Sequence, residues 1–269
     1  MRTSSTLIST FALFAGLLAA PFAASAADKP PCHAPLDVVR LASPLMHIGA
    51  KLTRHEAVTI VAIGSSSTWG AGASSRDASY PSRLEAELKA QFPGSPITVL
   101  NRGVGGEEVP DMLKRFDEAV IAAKPDLVLW QLGTNSVIRD HSLDQHAALI
   151  RQGLTRIRAT GADIVLIDPQ YAPKVVEKAL APRMVALIAT SAKAQNVDLF
   201  PRFEMMKRWS ETDRLAFNVF TASDGLHMND WGYACMAKGL SLAIVDAAKR
   251  PVLSAKVSPA NTGVPLVTH

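Results

Sequence analysis

The residues best suited to chemistry are a serine in the first third of the chain and a histidine near its end. Ser66 stands in "VAIGSSSTWG", directly after an apolar run and a glycine. A serine hydroxyl becomes nucleophilic when a base removes its proton, and His227 is the candidate base because imidazole titrates near neutrality. Asp224, three residues before His227, can orient the imidazole and stabilise its cation. The three side chains predict nucleophilic catalysis.

Three groups elsewhere in the chain can supply donors to a tetrahedral oxyanion. The segment "NRGVGGE" offers the backbone N–H of Gly105 or Gly106, and "GTNS" offers the side-chain amide of Asn135. The N–H of Ser66 is a third donor if this serine begins a helix. Together these groups predict an oxyanion hole for acyl transfer.

Apolar runs alternate with amphipathic stretches, and these elements must position the candidate residues. Strands are predicted at 58–63, 97–100, 126–132, 164–167 and 197–200. Helices are predicted at 81–92, 109–123, 143–157, 175–194 (with a break or restart at Pro182) and 230–248. Strands separated by helices imply right-handed crossovers and a parallel sheet covered on both faces. The predicted fold class is α/β, a single three-layer α/β/α sandwich with a parallel sheet of about five strands.

The candidate residues lie where such a sheet binds its ligands. Ligands bind beyond the carboxyl ends of the strands, near the point where the strand order reverses. Ser66, Gly106 and Asn135 each follow one of the first three predicted strands, and His227 comes just before the last helix. This shared position carries more weight than any single motif.

These four blocks resemble those of the SGNH, or GDSL-type, hydrolases, a family of esterases and acylhydrolases. The resemblance implies a flavodoxin-like sandwich and makes Ser66 the nucleophile. It implies that Gly106 and Asn135 hold the oxyanion together with the Ser66 N–H. Asp224 and His227, in "DGLHMNDWGY", match the family's closing Asp-x-x-His.

The resemblance runs from about residue 58 to 248 and departs from the family pattern at four positions. Ser65 stands where the family has an aspartate beside the nucleophile, and Ser136 where an aspartate often follows the asparagine. Glu107 replaces an aspartate after the glycine, and Met228 replaces a proline after the histidine. These departures concern the subgroup, because the residues that the family letters denote are present.

Non-catalytic interpretations exist for the same residues. Ser66 could cap a helix, since serine is favoured there, and Asn135 could be an ordinary turn residue. Residues 103–106 could form a phosphate-binding turn, but their glycines do not fit G-x-G-x-x-G. The histidines show no metal-ligand spacing, so neither a metal nor a cofactor is predicted.

Three tryptophans and one further histidine are each predicted to lie either in a substrate groove or in the core. Trp69, beside the serine, and Trp231, after the histidine, are predicted to line a substrate groove. Trp130, within a strand, and His146, on the apolar face of a helix, are predicted to lie in the core.

The two ends predict an exported protein. Residues 1–26 have a basic start, an apolar run and a small-residue "ASA", as in a secretory signal peptide, although an uncleaved anchor is an alternative. Residues 27–57 would form an N-terminal segment, 58–250 the hydrolase domain and 251–269 a disordered tail. The protein would then be periplasmic or secreted, without stable membrane insertion. Cys32 and Cys235 either form a disulfide or remain two thiols.

The predicted function is that of an exported serine esterase with a small-molecule or polysaccharide ester as substrate, most simply short-chain or O-acetyl esters on carbohydrates. The net charge is +4 with no run of Lys or Arg, which suggests no nucleic-acid partner. Alternatives are a lysophospholipase- or thioesterase-like acylhydrolase, an O-acyltransferase in which a sugar hydroxyl replaces water, and a non-catalytic glycan-binding module. The oligomeric state stays open.

Overall fold

The computed structural model describes residues 30–250 of the chain. The predicted signal peptide and the predicted tail at 251–269 lie outside the described residues. The compact unit considered below begins at Pro31. Among the described helices, none combines the length and apolarity needed to cross a membrane.

Five parallel strands form one sheet. They are β1 (Val58–Gly64), β2 (Ile97–Gly103), β3 (Leu127–Gln131), β4 (Asp163–Ile167) and β5 (Asp198–Phe200). Their spatial order is β2-β1-β3-β4-β5, which is the flavodoxin-like order with its switch point between β1 and β3. Ile63 of β1 is paired with Arg102 on one side and Trp130 on the other. The predicted fold class is confirmed, and every predicted strand overlaps an observed one.

Helices connect the strands and cover both faces of the sheet. The described residues form α1 (Leu36–Val39), α2 (Met46–Thr53), α3 (Ser66–Trp69), α4 (Tyr80–Gln91), α5 (Val109–Lys114), α6 (Phe116–Ala119), α7 (Thr134–Ile138), α8 (His146–Arg158), α9 (Pro173–Val176), α10 (Ala181–Ala194), α11 (Arg202–Glu211), α12 (Phe217–Phe220) and α13 (Asp230–Lys249), with 3-10 turns at Arg76–Ala78 and Ile121–Ala123. The short helices α3 and α7 directly follow β1 and β3, so they begin at the edge of the sheet where ligands bind.

Two predicted helices are interrupted. The helix predicted at 109–123 is instead α5, α6 and a 3-10 turn, and the prediction of one continuous helix is wrong. The backbone leaves helical geometry at Arg115 (φ −107°, ψ 9°), and Phe116 then packs edge-on against Trp130. The stretch predicted at 175–194 divides into α9 and α10, and Pro182 lies in the first turn of α10, where proline is tolerated.

Alternate residues of the strands enter two separate hydrophobic clusters. Ile60, Ala62, Leu127, Leu129, Val165 and Ile167 face the cluster that includes side chains of α2, α4, α11 and α13. Val61, Ile63, Val128, Trp130, Ile164 and Leu166 face the cluster formed with α5, α8 and α10. Trp130 is fully buried, as predicted. Burial on both faces explains why these strands are continuous apolar runs.

The segment before β1 is fastened to the last helix. A disulfide joins Cys32 to Cys235 of α13, with the two Cα atoms 5.3 Å apart. Ile48 and Leu52 of α2 are buried in the core beside α13. Of the two alternatives left open for the cysteines, the structure has the bridge.

Candidate active site

The serine, histidine and aspartate predicted from the sequence form a continuous hydrogen-bonded chain. His227 Nε2 lies 2.8 Å from Ser66 Oγ, and His227 Nδ1 lies 2.5 Å from Asp224 Oδ2. Ser66 and His227 are 161 positions apart in sequence, so the fold alone brings them together. The imidazole is placed to take the serine proton while the carboxylate fixes its tautomer.

A tight turn orients Asp224 toward the histidine. Its Oδ1 accepts the backbone N–H groups of Leu226 (2.9 Å) and His227 (3.0 Å), which leaves Oδ2 for the imidazole. Partial burial opposes ionisation of Asp224, but these bonds outweigh it and hold its pKa below the ordinary value. The carboxylate is therefore charged over the pH range in which an imidazole titrates.

Ser66 occupies the first position of helix α3, directly beyond the carboxyl end of β1. Ser65 precedes it and is buried, with its N–H and hydroxyl both bonded to Gln131 Oε1 at 2.9 and 3.0 Å. Within the described residues the Ser66 N–H donates no hydrogen bond, as expected at a helix N-terminus. Since the Ser66 hydroxyl bonds to His227, it does not act as a helix cap.

The two other predicted oxyanion residues follow β2 and β3, the strands on either side of β1. Asn135 lies in the first turn of α7 and donates one amide N–H to the Glu107 carbonyl at 2.8 Å. A primary amide has a second N–H, which stays available to a ligand. Gly106 has φ +79°, a conformation that favours glycine. The link through Glu107 ties the Gly106 loop to Asn135.

Ion pairs brace the loop that carries Gly106. Arg115 holds the Glu107 carboxylate in a bidentate pair, with Nε 2.7 Å from Oε1 and Nη2 2.5 Å from Oε2. Glu108 accepts the Ser136 hydroxyl at 2.7 Å and Arg139 Nη1 at 2.5 Å. We call Glu107, Glu108, Arg115, Arg139 and Ser136 together the loop brace.

The loop brace affects the ionisation of Glu108. Partial burial opposes its charge, but hydrogen bonds from Ser136, Arg139 and His141 outweigh burial and lower its pKa. His146, buried as predicted, extends the network through Nε2, 2.9 Å from Ser136 Oγ. Glu108 thus connects the loop after β2 to helix α7, which carries Asn135.

A second, fully buried set of polar residues lies beneath helix α3. The Tyr80 hydroxyl is 3.1 Å from Thr68 Oγ1, and the Tyr233 hydroxyl donates to the Ala71 carbonyl at 2.6 Å. Burial raises the pKa of Tyr80 to about 12, so its phenol remains protonated. Both tyrosines therefore hold the nucleophile segment through neutral hydroxyl groups.

An arginine and an aspartate complete this buried set. Arg202 is fully buried, and its Nε donates to the Asp168 backbone carbonyl at 2.9 Å. Asp168 Oδ1 accepts the Phe203 N–H at 2.9 Å. Burial raises the pKa of Asp168 to about 7 and lowers that of Arg202 to about 10. We call Tyr80, Tyr233, Asp168 and Arg202 the buried polar cluster.

Sequence reasoning missed two glutamines that link the loops of the site. Gln131, at the end of β3, accepts from Ser65 as described above. Gln170 accepts the Thr134 hydroxyl at 2.9 Å and donates to the Leu226 carbonyl at 3.2 Å. A polar residue at the end of an apolar strand, as in "DLVLWQL", was the available signal for Gln131.

The two tryptophans predicted to line a groove lie in different environments. Trp69 is 46% exposed at the end of α3, beside Ser66. Trp231 is only 9% exposed and packs edge-on against Trp209 in the core, because it lies on the inner side of α13. Its prediction as a groove residue is therefore wrong.

Two further observations bear on what the site can hold. Within residues 30–250, no three His, Cys, Asp or Glu side chains are grouped so that they could hold a metal ion. Five cavities of about 350 to 530 Å³ among the described residues are lined by neither Ser66 nor His227. The largest of them lies between α2 and α13, away from the catalytic edge.

The chain is similar to known esterases. It is 31% identical over 102 residues to an acetylxylan esterase of Geobacillus stearothermophilus, covering 34% of this chain and 47% of the relative. It is 26% identical over 125 residues to an arylesterase of Vibrio mimicus, covering 46% and 61%. The chain thus spans about half to three-fifths of the length of these relatives.

A solved structure shows the same fold. A two-domain esterase active on acetylated mannans superposes with a TM-score of 0.65 at 19% identity, over 85% of this chain and 60% of that one. At this identity the likeness concerns the fold alone. The sequence model of the non-GDSL lipase-like family matches residues 31–250, which include every residue of the Ser66–His227–Asp224 site. The chain therefore belongs to the non-GDSL lipase-like family, among the SGNH-type hydrolases that its four blocks resemble.

Proposed function

We propose that this protein is an exported serine esterase that hydrolyses carboxylic esters through an acyl-enzyme, with short-chain or O-acetyl esters of carbohydrates as substrates. The observation that carries the proposal is the hydrogen-bonded chain from Ser66 through His227 to Asp224. The similarity to esterases along part of the chain supports it.

The first half of the reaction acylates the serine. Ser66 Oγ attacks the ester carbonyl carbon as His227 Nε2 takes the hydroxyl proton, and Asp224 stabilises the resulting imidazolium. The tetrahedral intermediate collapses, the bond from the carbonyl carbon to the alcohol oxygen breaks, and His227 returns the proton to that oxygen. The alcohol leaves and the acyl group stays on Ser66.

The second half transfers the acyl group to water. His227 takes a proton from water, the hydroxide adds to the acyl carbon, and collapse releases the carboxylic acid while Ser66 recovers its proton from His227. In both halves the N–H groups of Ser66 and Gly106 and the second amide N–H of Asn135 hold the oxyanion. No other group is required to balance protons or charge.

The proposed carbohydrate substrate is supported by Trp69 beside the serine. The exposed ring of Trp69 offers a flat apolar face on which a sugar can stack. The acetylxylan esterase and the acetylated-mannan esterase similar to this chain act on such substrates.

Export is proposed from the predicted signal peptide and the Cys32–Cys235 bridge. Disulfides persist in oxidising compartments such as the periplasm and are rare in the cytosol.

The decisive experiment compares the protein with Ser66→Ala on 4-nitrophenyl acetate, butyrate and octanoate. We expect acetate to be preferred, and the substitution to lower kcat by about 10⁴-fold or more. Labelling by a fluorophosphonate should require Ser66. Equal turnover by both proteins would contradict the mechanism. A preference for octanoate would contradict the proposed preference for short acyl groups.

Asn135→Ala separates oxyanion stabilisation from nucleophilic attack. Removing one oxyanion donor should lower kcat by about 10²–10³-fold and leave a Ser66-dependent residual rate. Fluorophosphonate labelling should be slower but still complete. Full activity in Asn135→Ala would remove this side chain from the oxyanion hole.

A further inference from the structure

An exposed guanidinium lies in the segment that follows the helix of Ser66. The guanidinium carbon of Arg76 is 5.7 Å from the centroid of the Trp69 ring, and Trp69 ends the helix that Ser66 begins. Gly72, between the two, lies against the catalytic histidine, since a Cβ on it would fall 2.9 Å from the Cβ of His227. The segment from Trp69 to Arg76 therefore begins in the helix of Ser66 and passes against the histidine.

The loop that carries this pair is held in place. The Ser74 N–H and hydroxyl donate to the two carboxylate oxygens of Asp230 at 2.7 and 2.6 Å. At the start of the same loop, the Ala71 carbonyl accepts the Tyr233 hydroxyl. A loop fixed in this way loses little conformational entropy when it binds a ligand.

A second guanidinium lies on the oxyanion side. Arg139 Nη1 donates to Glu108, whereas Nη2 makes no hydrogen bond within residues 30–250. Nη2 lies 3.4 Å from the position that a Cβ on Gly106 would take. The Arg139 side chain is 44% exposed and Glu108 only 12%, so the pair presents its cationic end to solvent.

The two guanidinium groups differ in how their charge is compensated. Arg139 is paired with Glu108 through Nη1, which leaves Nη2 as a donor for a ligand. Arg76 forms no ion pair with any described residue, including Asp77 beside it in sequence. Arg76 therefore offers a ligand an unpaired positive charge, and Arg139 offers a free guanidinium N–H group.

We propose that Arg76 and Arg139 select an ester whose sugar chain carries carboxylates, so that the substrate is an acetylated polysaccharide rich in uronic acids. The inference rests on the proposed function and narrows its substrate class. Guanidinium groups suit this task because their planar donors match a carboxylate, and because the charge persists at every physiological pH.

Distances make the recognition effective. An ester oxygen bound to the Gly106 N–H at hydrogen-bond distance lies within about 9 Å of Arg139 Nη2. That is close to the Debye length of about 8–10 Å at physiological ionic strength, so a carboxylate on the acetylated sugar or its neighbour is attracted. Stacking of the sugar on Trp69 would bring the next residue of the chain toward Arg76.

The test uses one polymer in two charge states. Acetate release is measured on O-acetylated polygalacturonate and on the same polymer after its carboxyl groups are reduced to alcohols. The full-length protein should show a kcat/KM at least about 10-fold higher on the charged polymer, and the difference should shrink as salt rises. Ser66→Ala should bind unacetylated oligogalacturonate more tightly than its reduced form, which measures recognition without turnover.

Arg76→Gln should lower kcat/KM on the charged polymer by about 10-fold and on the reduced polymer by less than about 2-fold. Arg139→Gln also breaks the ion pair with Glu108, so it should lower kcat/KM on both polymers, and on the charged polymer by about 10-fold more than on the reduced one. Arg139→Lys, which keeps the charge, should retain part of the preference. Arg54→Gln is the matched control, because Arg54 pairs with Glu56 on the surface just before β1, at the opposite end of the sheet. Because Arg76 forms no ion pair with a described residue, its variant tests recognition even if Arg139→Gln loosens Glu108.

The outcomes separate this inference from the proposed function. Ser66-dependent hydrolysis of 4-nitrophenyl acetate with equal rates on both polymers would overturn the inference alone. Losses of equal size on both polymers in the arginine variants would assign Arg139 to bracing only and overturn it too. Absence of Ser66-dependent turnover on every ester would instead overturn the proposed function. If Ser66→Ala then bound oligogalacturonate and its reduced form equally, the inference would be overturned as well.

Discussion

Two polar networks support the candidate catalytic residues, and they differ in their exposure to water. The buried polar cluster (Tyr80, Tyr233, Asp168 and Arg202) has side chains that are essentially inaccessible to solvent, and it lies beneath helix α3. The loop brace is built of ion pairs that are only partly buried, and Arg139 of the Arg139–Glu108 pair is 44% exposed.

The difference assigns the two networks separate tasks. A buried charge is costly to desolvate, and in return it fixes geometry that salt and solvent scarcely disturb. A half-exposed ion pair contributes little to stability, is screened by salt, and can rearrange when a ligand arrives. We therefore expect substitutions in the buried polar cluster to lower the free energy of unfolding and those in the loop brace to lower kcat.

The largest contrast should come from two arginines. Arg202→Met removes a fully buried guanidinium and its hydrogen bond to the Asp168 backbone carbonyl, which should cost about 2–3 kcal/mol of unfolding free energy. Arg115→Met removes the partly exposed partner of Glu107 and should cost about 1–2 kcal/mol. Urea unfolding measures both, and equal losses would contradict the division between the networks.

Asp168 should impose a pH dependence opposite in sign to that of Glu108, whose pKa is lowered in the folded protein. Burial raises its pKa to about 7, although the Phe203 N–H and the Arg202 charge oppose the shift. The folded protein therefore keeps a proton that the unfolded chain releases near its ordinary pKa of 3.8. The stability contributed by this group is greatest below about pH 4 and is lost as pH rises from about 4 to 7.

Asp168→Asn isolates this effect, because asparagine has nearly the same shape and does not titrate. Relative to the parent protein, the variant should gain about 2 kcal/mol of stability between pH 5 and pH 8. Thermal unfolding at the two pH values gives the comparison. A constant difference between the proteins would show that Asp168 is already ionised when folded.

Glu108→Gln tests the loop brace by kinetics. Gln keeps an acceptor for Ser136 but loses the ion pair with Arg139, so the Gly106 loop and Asn135 should lose their fixed spacing. We expect kcat to fall about 10-fold with KM and stability nearly unchanged. Glu56→Gln, which breaks the surface pair with Arg54, is the control. A fall in stability without a fall in kcat would make Glu108 merely structural.

The smallest effect is expected from Tyr80→Phe. The change removes the hydroxyl that is 3.1 Å from Thr68 Oγ1, and Thr68 retains a weaker contact with Gln131 at 3.4 Å. Unfolding free energy should fall by about 1 kcal/mol and kcat by about 2- to 5-fold. A loss as large as that of Asn135→Ala would place the phenol in the chemistry rather than beneath it.

The sequence sufficed for features governed by local rules. The strands were predictable because burial on both faces demands apolar runs. The meeting of Ser66, His227 and Asp224 was predictable because nucleophilic catalysis demands those residue types. The oxyanion roles of Asn135 and Gly106 stay predictions from their positions after strands. Each of these patterns is short enough to be read within one segment.

The rest depends on contacts between distant segments. Arg202 opens the segment "RFEMMKRWSE", in which charged residues ordinarily face water, and only the tertiary structure shows that this one is buried. Trp231 looked like a groove residue because it follows the histidine, yet the turn of α13 directs it toward Trp209. Helix α2 was not predicted, because its apolar side acquires meaning only when it packs beside α13.

The bridge between Cys32 and Cys235 turns the chain into a covalent ring that contains all five strands. A protease that cuts any one peptide bond inside the ring yields two fragments that remain attached, so the nicked molecule keeps its mass until it is reduced. The ring also cannot close during synthesis before α13 emerges, since Cys235 lies in that helix. A polypeptide truncated ahead of α13 would therefore carry Cys32 as a free thiol, open to partners outside the molecule.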